Sequence, residues 1–125
     1  RKGEDIVIFA CGIMVQLAMQ AAEKLSTQGI QASVVNVYSI KPIDSPTVCE
    51  LSAKVGRVLT LENHTVIGGL GDAVSAELAE EGVSVKLKKM GLKDVFSEGA
   101  SIDYLLKKYK LDVSSIVEEA KVVTA

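Results

Sequence analysis

A chain of 125 residues with 48% hydrophobic and 24% charged residues has the composition of one globular domain, which excludes a disordered polypeptide. The net charge of −2 at pH 7 offers no basic field for phosphate backbones, so we expect no nucleic acid partner. No apolar run approaches the roughly 20 residues that span a bilayer, and no signal peptide pattern is present, so we expect no membrane contact. Two cysteines are too few for a disulfide scaffold and favour a reducing, cytoplasmic location.

The first half of the chain predicts two strands and two helices in alternation. Residues 5–10 form a short, nearly all-apolar run that is typical of a buried strand. A helical period follows, and its apolar face carries Ile13, Met14, Leu17, Ala18, Ala21, Ala22 and Leu25. Gly29 ends this helix, and residues 32–37 predict a second strand. At Asp44 a capping side chain followed by proline starts a helix that runs to about Val55.

The centre of the chain is an apolar run that ends in a polar and glycine-rich segment. Residues 58–61 predict a third buried strand, and a helix that ends at Gly82 follows the glycines. Between them lies the segment that we call the glycine corner, residues 62–71, whose candidate site residues are Glu62, Asn63, His64, Gly68, Gly69 and Gly71. In open parallel sheets the carboxyl ends of the strands are where ligands and partners bind. The glycine corner is therefore the candidate anion-binding or interface site.

The last third of the chain predicts one strand, a loop and two helices. Residues 83–88 alternate between apolar and polar, which indicates an edge strand with one solvated face. Residues 90–100 have no hydrophobic period and predict a long loop, which is either functional or anchored by Phe96. We predict a short helix over residues 102–109 and a last helix that Asp112 caps.

The order of these elements predicts a three-layer α/β/α domain over residues 1–125, with a mainly parallel sheet. Right-handed crossovers that place helices on both faces require a reversal of strand order, and we predict the order 2-1-3-4. Its switch point lies between the first and third strands, so Cys11 and Gly12 should lie beside the glycine corner.

Residues 62–74, with the sequence ENHTVIGGLGDAV, resemble the signature of the C-terminal domain of the transketolase family. Other segments that resemble the family follow its order along the chain: DIVIFACGIMVQLAMQAAEKL, VVNVYSIKPID, MGLKDVFSEGA and YLLKKYKLDVSSIVEEA. The group includes deoxyxylulose-phosphate synthases and 2-oxoacid dehydrogenase β subunits, and the intact ENH and GGLG elements favour transketolase itself. The resemblance implies a five-stranded sheet whose antiparallel first strand is missing here, so the second strand should be an exposed edge.

The resemblance implies a part of a cytoplasmic enzyme of the pentose phosphate pathway that transfers ketol units between sugar phosphates. In the family, thiamine diphosphate and Mg²⁺ are held by an N-terminal domain through Gly-Asp-Gly, and a glutamate of the middle domain activates the cofactor. This chain has Gly71-Asp72-Ala73 instead, and Glu62 does not correspond to that glutamate, so we expect neither catalytic nor cofactor-binding nor metal-binding residues here. The expected partners are the missing thiamine-binding domains and a second copy in a homodimer. The start at Arg1 fits a piece of a longer polypeptide.

Two other functions stay open from the residues themselves. An independent regulatory domain would bind a phosphate or nucleotide at the glycine turn, since a helix N-terminus offers free N–H groups. Close strand-to-helix packing requires glycine equally, and the pattern G-x-G-x-x-V from Gly69 fails the dinucleotide fingerprint, so packing is favoured. A hydrolase would use Cys11 or His64, the only histidine, but G-x-S-x-G is absent. A structural or interface histidine and a buried, inert thiol are favoured.

Overall fold

A computed structural model describes the whole chain, residues 1–125. Four strands and five helices follow one another in the order β1 (Ile6–Ala10), α1 (Met14–Ser26), β2 (Ala32–Asn36), α2 (Ser45–Val55), β3 (Arg57–Thr65), α3 (Leu70–Glu80), β4 (Lys86–Leu92), α4 (Ile102–Lys108) and α5 (Val113–Thr124). None of these helices combines the length and the apolar character that a bilayer crossing requires.

The four strands form one parallel sheet in the order β2-β1-β3-β4, as predicted. In the register, Val7 of β1 lies between Ser33 of β2 and Val58 of β3. The pairing of β3 with β4 is irregular between Leu61 and Thr65, where the register shifts. Because all four strands are parallel, their carboxyl ends lie at one edge of the sheet, which we call the carboxyl edge.

Helices cover both faces of the sheet, and β1 is buried on both sides. Alternate residues of β1 face different clusters: Ile6 and Ile8 pack with α1 and α5, whereas Val7 and Phe9 pack with α2 and α3. All five residues of β1 are inaccessible to solvent, which explains why the strand reads as a continuous apolar run. This arrangement confirms the predicted three-layer fold.

The helix ends follow their local sequence signals. Asp44 accepts a hydrogen bond from Thr47 N at 3.1 Å and caps α2, as predicted. Gly56 ends the same helix in a left-handed conformation, with φ at +73°. Asp112 precedes α5, but its carboxylate accepts from the Ser115 hydroxyl instead of a backbone N–H, so the predicted side-chain cap is wrong in detail. Ile13 also differs from prediction: it is the N-cap of α1 instead of part of its buried face, and it is 45% exposed.

The segment around β4 shows the largest differences from prediction. β3 continues to Thr65 instead of ending at Leu61. β4 begins at Lys86 instead of Val83 and continues alongside β3 to Leu92. Residues 90–92 are therefore strand and not loop, because the longer β3 provides backbone partners for them. Phe96 does not hold the loop in place, since its side chain is fully exposed.

The loop after β4 is held by polar contacts around one carboxylate. Glu98 accepts hydrogen bonds from Lys108 and from the Tyr104 hydroxyl, and both donors lie on α4. The sequence pattern of the loop contained no sign of this arrangement, because the contacts join residues six and ten positions apart across a turn.

β2 forms an edge of the sheet, as predicted, but its first half has a neighbour. Arg1 N donates to Val34 O at 3.3 Å, and Val34 N donates to Arg1 O at 3.1 Å. Gly3 N donates to the Ser33 hydroxyl, which in turn donates to Gly3 O. Residues 1–3 therefore run antiparallel to β2 and occupy part of the edge that we expected to be free.

Candidate functional site

The glycine corner lies at the carboxyl edge, between the ends of β1 and β4. Cys11 N donates to Leu61 O at 3.4 Å on one side, and Val66 N donates to Leu92 O at 2.8 Å on the other. A Cβ atom at Gly12 would lie 3.6 Å from Asn63 Oδ1, so the turn after β1 approaches the corner closely. This confirms the predicted proximity of Cys11 and Gly12 to the glycine corner.

Glu62 is the buried charged residue of the corner, with 1% of its surface exposed. Its Oε2 accepts a hydrogen bond from Leu70 N at 2.8 Å, and its Oε1 accepts from Gly71 N at 3.1 Å. These N–H groups belong to the first turn of α3, where the backbone donors have no partner within the helix. The carboxylate also lies at the positive end of the helix dipole. Glu62 therefore caps α3 from the end of the neighbouring strand.

The glycines of the corner are required by this cap and by the contacts around it. A Cβ atom at Gly69 would overlap the Glu62 carboxylate. At Gly71 a Cβ atom would lie 2.5 Å from Lys89 Cδ and 2.9 Å from Thr60 Oγ1. Gly68 adopts a φ of +76°, which side chains rarely permit. Packing and backbone conformation therefore account for all three glycines.

The anion interpretation of the corner requires backbone donors that are free to bind a ligand. The donors of Leu70 and Gly71 are bonded to Glu62, so an external anion would have to displace an internal carboxylate. The carboxylate of Glu62 stands in the position that a phosphate takes at the N-terminus of a helix in other proteins. The internal cap favours packing over ligand binding at this turn.

His64 is the exposed titratable group of the corner, with 63% of its side chain accessible. Its Nδ1 lies 2.9 Å from Thr65 O and 3.9 Å from Glu62 Oε2. A catalytic base requires a nucleophile or a substrate proton within hydrogen-bond reach, and neither neighbouring oxygen supplies one. The geometry is that of a hydrogen-bonded surface histidine, which favours the structural or interface interpretation.

Cys11 is half-buried beside the same carboxylate. Burial raises the pKa of the Cys11 thiol, and the negative charge of Glu62 raises it further. A reactive cysteine requires the opposite shift, because the thiolate is the nucleophile. The structure therefore favours the inert thiol, although Cys11 precedes a helix as the sequence indicated.

An ion pair joins the start of α3 to β4. Lys89 Nζ donates to Asp72 Oδ1 at 2.6 Å, while Gly68 N donates to Asp72 Oδ2 at 2.7 Å. The hydrogen bond from Lys89 lowers the pKa of the Asp72 carboxyl, and the bond from Gly68 contributes in the same direction. Asp72 therefore fixes both the glycine turn and the orientation of the helix.

A diphosphate requires free backbone N–H donors, and a metal ion requires several converging ligand side chains. Nowhere do three or more histidine, cysteine, aspartate or glutamate side chains converge as metal ligands. At the glycine corner, the helix N-terminus that would receive a diphosphate is capped by Glu62. At the end of β3, Asn63 and His64 face solvent.

The structural role of Glu62 is the feature that the sequence did not indicate. Side-chain caps are usually recognised from a residue directly before the helix, but Glu62 lies eight positions before Leu70. The signal available was the combination of a carboxylate at a strand end with glycines at the following helix start, which leaves room for a cap across the turn.

Comparison with known proteins identifies the family of the whole chain. Residues 1–116 match the family model described as the C-terminal domain of transketolase. A 6-deoxy-6-sulfo-D-fructose transketolase subunit from a Clostridium species is 46% identical over 124 residues. A 1-deoxy-D-xylulose-5-phosphate synthase from Desulforudis audaxviator is 41% identical over 122 residues. A solved structure titled as a split gene transketolase, inactive β4 tetramer, superposes with a TM-score of 0.93 at 40% identity.

Each of these proteins is much longer than the chain. The matches cover 99%, 97% and 99% of this chain but only 38% of the Clostridium subunit, 19% of the synthase and 40% of the split transketolase chain. The similarity therefore concerns one domain of larger polypeptides.

Proposed function

Because this chain belongs to the transketolase family, as its C-terminal domain, we propose that it is the assembly domain of a ketol-transferring enzyme. The parent enzyme transfers two-carbon units between sugar phosphates in the pentose phosphate pathway. This domain packs against the thiamine-binding domains and supports the dimer, and it contributes no catalytic group. The observation that carries the proposal is the internal use of Glu62, which caps α3 instead of facing a substrate.

The share of the relatives that this domain covers supports a role for other domains in the parent enzyme. About three fifths of the split transketolase chain lie outside the matched region. Family members use thiamine diphosphate, and we propose that the domains outside this chain hold it together with Mg²⁺. A cytoplasmic location is also proposed, and the two unpaired cysteines support it.

Reconstitution of ketol transfer tests the proposal. We expect no turnover of a ketose phosphate donor and an aldose phosphate acceptor by this chain alone, with thiamine diphosphate and Mg²⁺ supplied. Turnover is expected once the thiamine-binding part of the parent is added. Ketol transfer by this chain alone would refute the proposal, and so would full activity of the thiamine-binding part without it.

Two substitutions separate an assembly role from a catalytic one in the reconstituted enzyme. His64→Ala and Cys11→Ala remove two titratable groups near Glu62 and should leave kcat within about twofold, because neither supplies a transition-state interaction. A loss of about 100-fold or more in kcat at unchanged KM, as expected for a general acid or base, would contradict the proposal.

A further inference from the structure

One groove on the surface collects lysine side chains from separate segments of the chain. It lies beside β4 and has a volume of about 640 Å³. We call it the lysine groove, and its lysines are Lys88 and Lys89 on β4, Lys93 on the loop after β4, Lys108 at the end of α4 and Lys110 on the turn before α5. These are five of the 14 basic residues of a chain whose net charge is −2, so the groove concentrates positive charge that the whole surface lacks.

Two lysines of the groove are held in place by carboxylates that do not line it. Lys89 Nζ donates to Asp72 Oδ1 at 2.6 Å, and Lys108 Nζ donates to Glu98. An ammonium group carries three N–H donors, so both lysines keep donors for a ligand.

The other three lysines have no strong partner. Lys93 and Lys110 are exposed and take part in no ion pair. Lys88 Nζ lies 3.8 Å from Glu119 Oε2, which is too far for a hydrogen bond. These ammonium groups are therefore free to bind an anion.

The charge balance of the groove is positive. Five lysines and two glutamates, Glu118 and Glu119, line it, which leaves a formal charge of +3. The partners of the lining residues in ion pairs are Asp72, Glu98 and Lys121, and the charge is +2 when these three are included. The groove therefore attracts an anion with two or more charges.

The floor of the groove is apolar, and all of its walls belong to this chain. Met90 and Leu111 are buried, at 6% and 3% exposure, and Val95 and Tyr109 add apolar surface to the lining. Because β4, the loop after it, α4 and α5 together form the concave shape, no other part of a longer polypeptide is needed to complete it. An apolar lining with a few polar groups, in a space of roughly 300–1,000 Å³, is typical of small-molecule sites.

The edge of the sheet adds a backbone donor to the groove. Lys86 N donates to Gly56 O on the side of β3, so the N–H of Lys89, three positions later in the alternating pattern, points away from β3. β4 is an edge strand, and no acceptor of the chain bonds this N–H. A free backbone N–H beside ammonium groups is a suitable set of donors for phosphate oxygens.

We infer that the lysine groove binds a small organic phosphate. The phosphate lies against Lys88, Lys93 and Lys110, whose charges are not neutralised by close partners. The organic part covers the floor formed by Met90 and Leu111, which an inorganic ion would leave open. This site adds a ligand to the domain and does not depend on the proposed assembly function.

Titration of the chain with phenyl phosphate, followed by calorimetry and by amide NMR shifts, tests the site. Inorganic phosphate lacks the apolar part of this probe, and phenol lacks the charge. At low ionic strength we expect phenyl phosphate to saturate with a Kd of about 0.1–1 mM, inorganic phosphate to bind about tenfold more weakly, and phenol not to saturate. The amide shifts should concentrate at Lys89, Gly91, Ser114 and Ser115, which line the groove.

Matched pairs of lysine substitutions separate the groove from the general charge of the chain. Lys93→Gln with Lys110→Gln should raise the Kd of phenyl phosphate by about tenfold or more, because two charged donors are lost. Lys24→Gln with Lys107→Gln removes the same charge from exposed lysines that do not line the groove, and its Kd should stay within about twofold of wild type. Urea unfolding midpoints should be unchanged in both double variants, since all four side chains are exposed and have no ion pair.

Removal of a negative charge from the groove should have the opposite effect. Glu119→Gln releases Lys88 from its carboxylate neighbour and should lower the Kd of phenyl phosphate by about threefold. A lysine groove with a purely structural role would show no such gain in affinity.

Absence of saturable binding of phenyl phosphate up to about 10 mM would overturn the inference. Equal affinity for inorganic phosphate would reduce the site to an adventitious ion only, and equal loss in the two double variants would show attraction by overall charge. Amide shifts at Gly68, Leu70 and Gly71 instead of the groove would place the ligand at the glycine corner and overturn the assigned site. None of these outcomes involves ketol transfer, so each is separable from the test of the proposed function.

Discussion

Replacement of the buried carboxylate at residue 62 by an amide is the most direct test of how the glycine corner is held. In the Glu62→Gln variant the amide oxygen can accept from only one of the two N–H groups of α3, and the amide nitrogen faces the other. The remaining bond loses its charge assistance, which costs about 1 kcal/mol, and the unpaired N–H costs about 1–3 kcal/mol. We expect a total loss of about 3 kcal/mol from an unfolding free energy on the order of 5–15 kcal/mol.

Urea denaturation followed by circular dichroism measures this loss. With an m value of about 2 kcal/mol/M, the midpoint should fall by about 1.5 M at unchanged slope, and the melting temperature should fall by roughly 10 °C. Glu50→Gln is the matched control, because Glu50 is exposed on α2 and has no ion pair, and its unfolding midpoint should not move. A loss below about 0.5 kcal/mol in Glu62→Gln, the usual range of surface substitutions, would refute the cap as a source of stability.

Three further substitutions test the surroundings of the cap. Gly69→Ala should lower the free energy of unfolding by about 2–3 kcal/mol, because the added methyl group displaces the buried carboxylate of Glu62. Gly99→Ala is the control and should leave the free energy of unfolding unchanged, because a Cβ atom there meets open space. Equal unfolding midpoints of the two variants would refute the steric argument. Thr60→Val should raise the free energy of unfolding by about 1 kcal/mol, since the Thr60 hydroxyl is buried without a partner. Thermal unfolding measures this change, and a lower free energy of unfolding in the variant would show that the hydroxyl is bonded. The hydrogen bond from Lys89 lowers the pKa of the Asp72 carboxyl. Below about pH 4 the folded state therefore binds fewer protons than the unfolded state, and the free energy of unfolding falls as the pH is lowered. Asp72→Asn should flatten that acid dependence of unfolding, and an unchanged pH profile would contradict the assigned role.

The elements that the sequence predicted well are those whose signals are local. The buried strand β1 and the helix α1 follow from apolar periodicity, and the start of α2 follows from Asp44 and the proline after it. The strand order follows from the alternation of strands and helices together with the handedness of crossovers. These rules depend on neighbours in sequence or on general chain geometry, so no knowledge of distant contacts was needed.

The features that escaped prediction depend on contacts between distant residues. The continuation of β4 through residues 90–92 requires a longer β3 as its partner, and the hydrogen bonds to Glu98 require the return of α4. At the candidate site, the position of the glycine corner was predicted, but the bonding of Glu62 was not. A carboxylate at a strand end has the same local pattern whether it faces solvent or caps a helix several residues later.

The capped turn has one broader consequence for how this domain is shared among enzymes. The first backbone N–H groups of α3 are already bonded to Glu62, so this helix end needs no bound ligand to complete it. A sulfosugar transketolase and a deoxyxylulose-phosphate synthase both carry a version of this domain. An internal cap of this kind is independent of any substrate, which is compatible with the occurrence of one domain in enzymes of different chemistry.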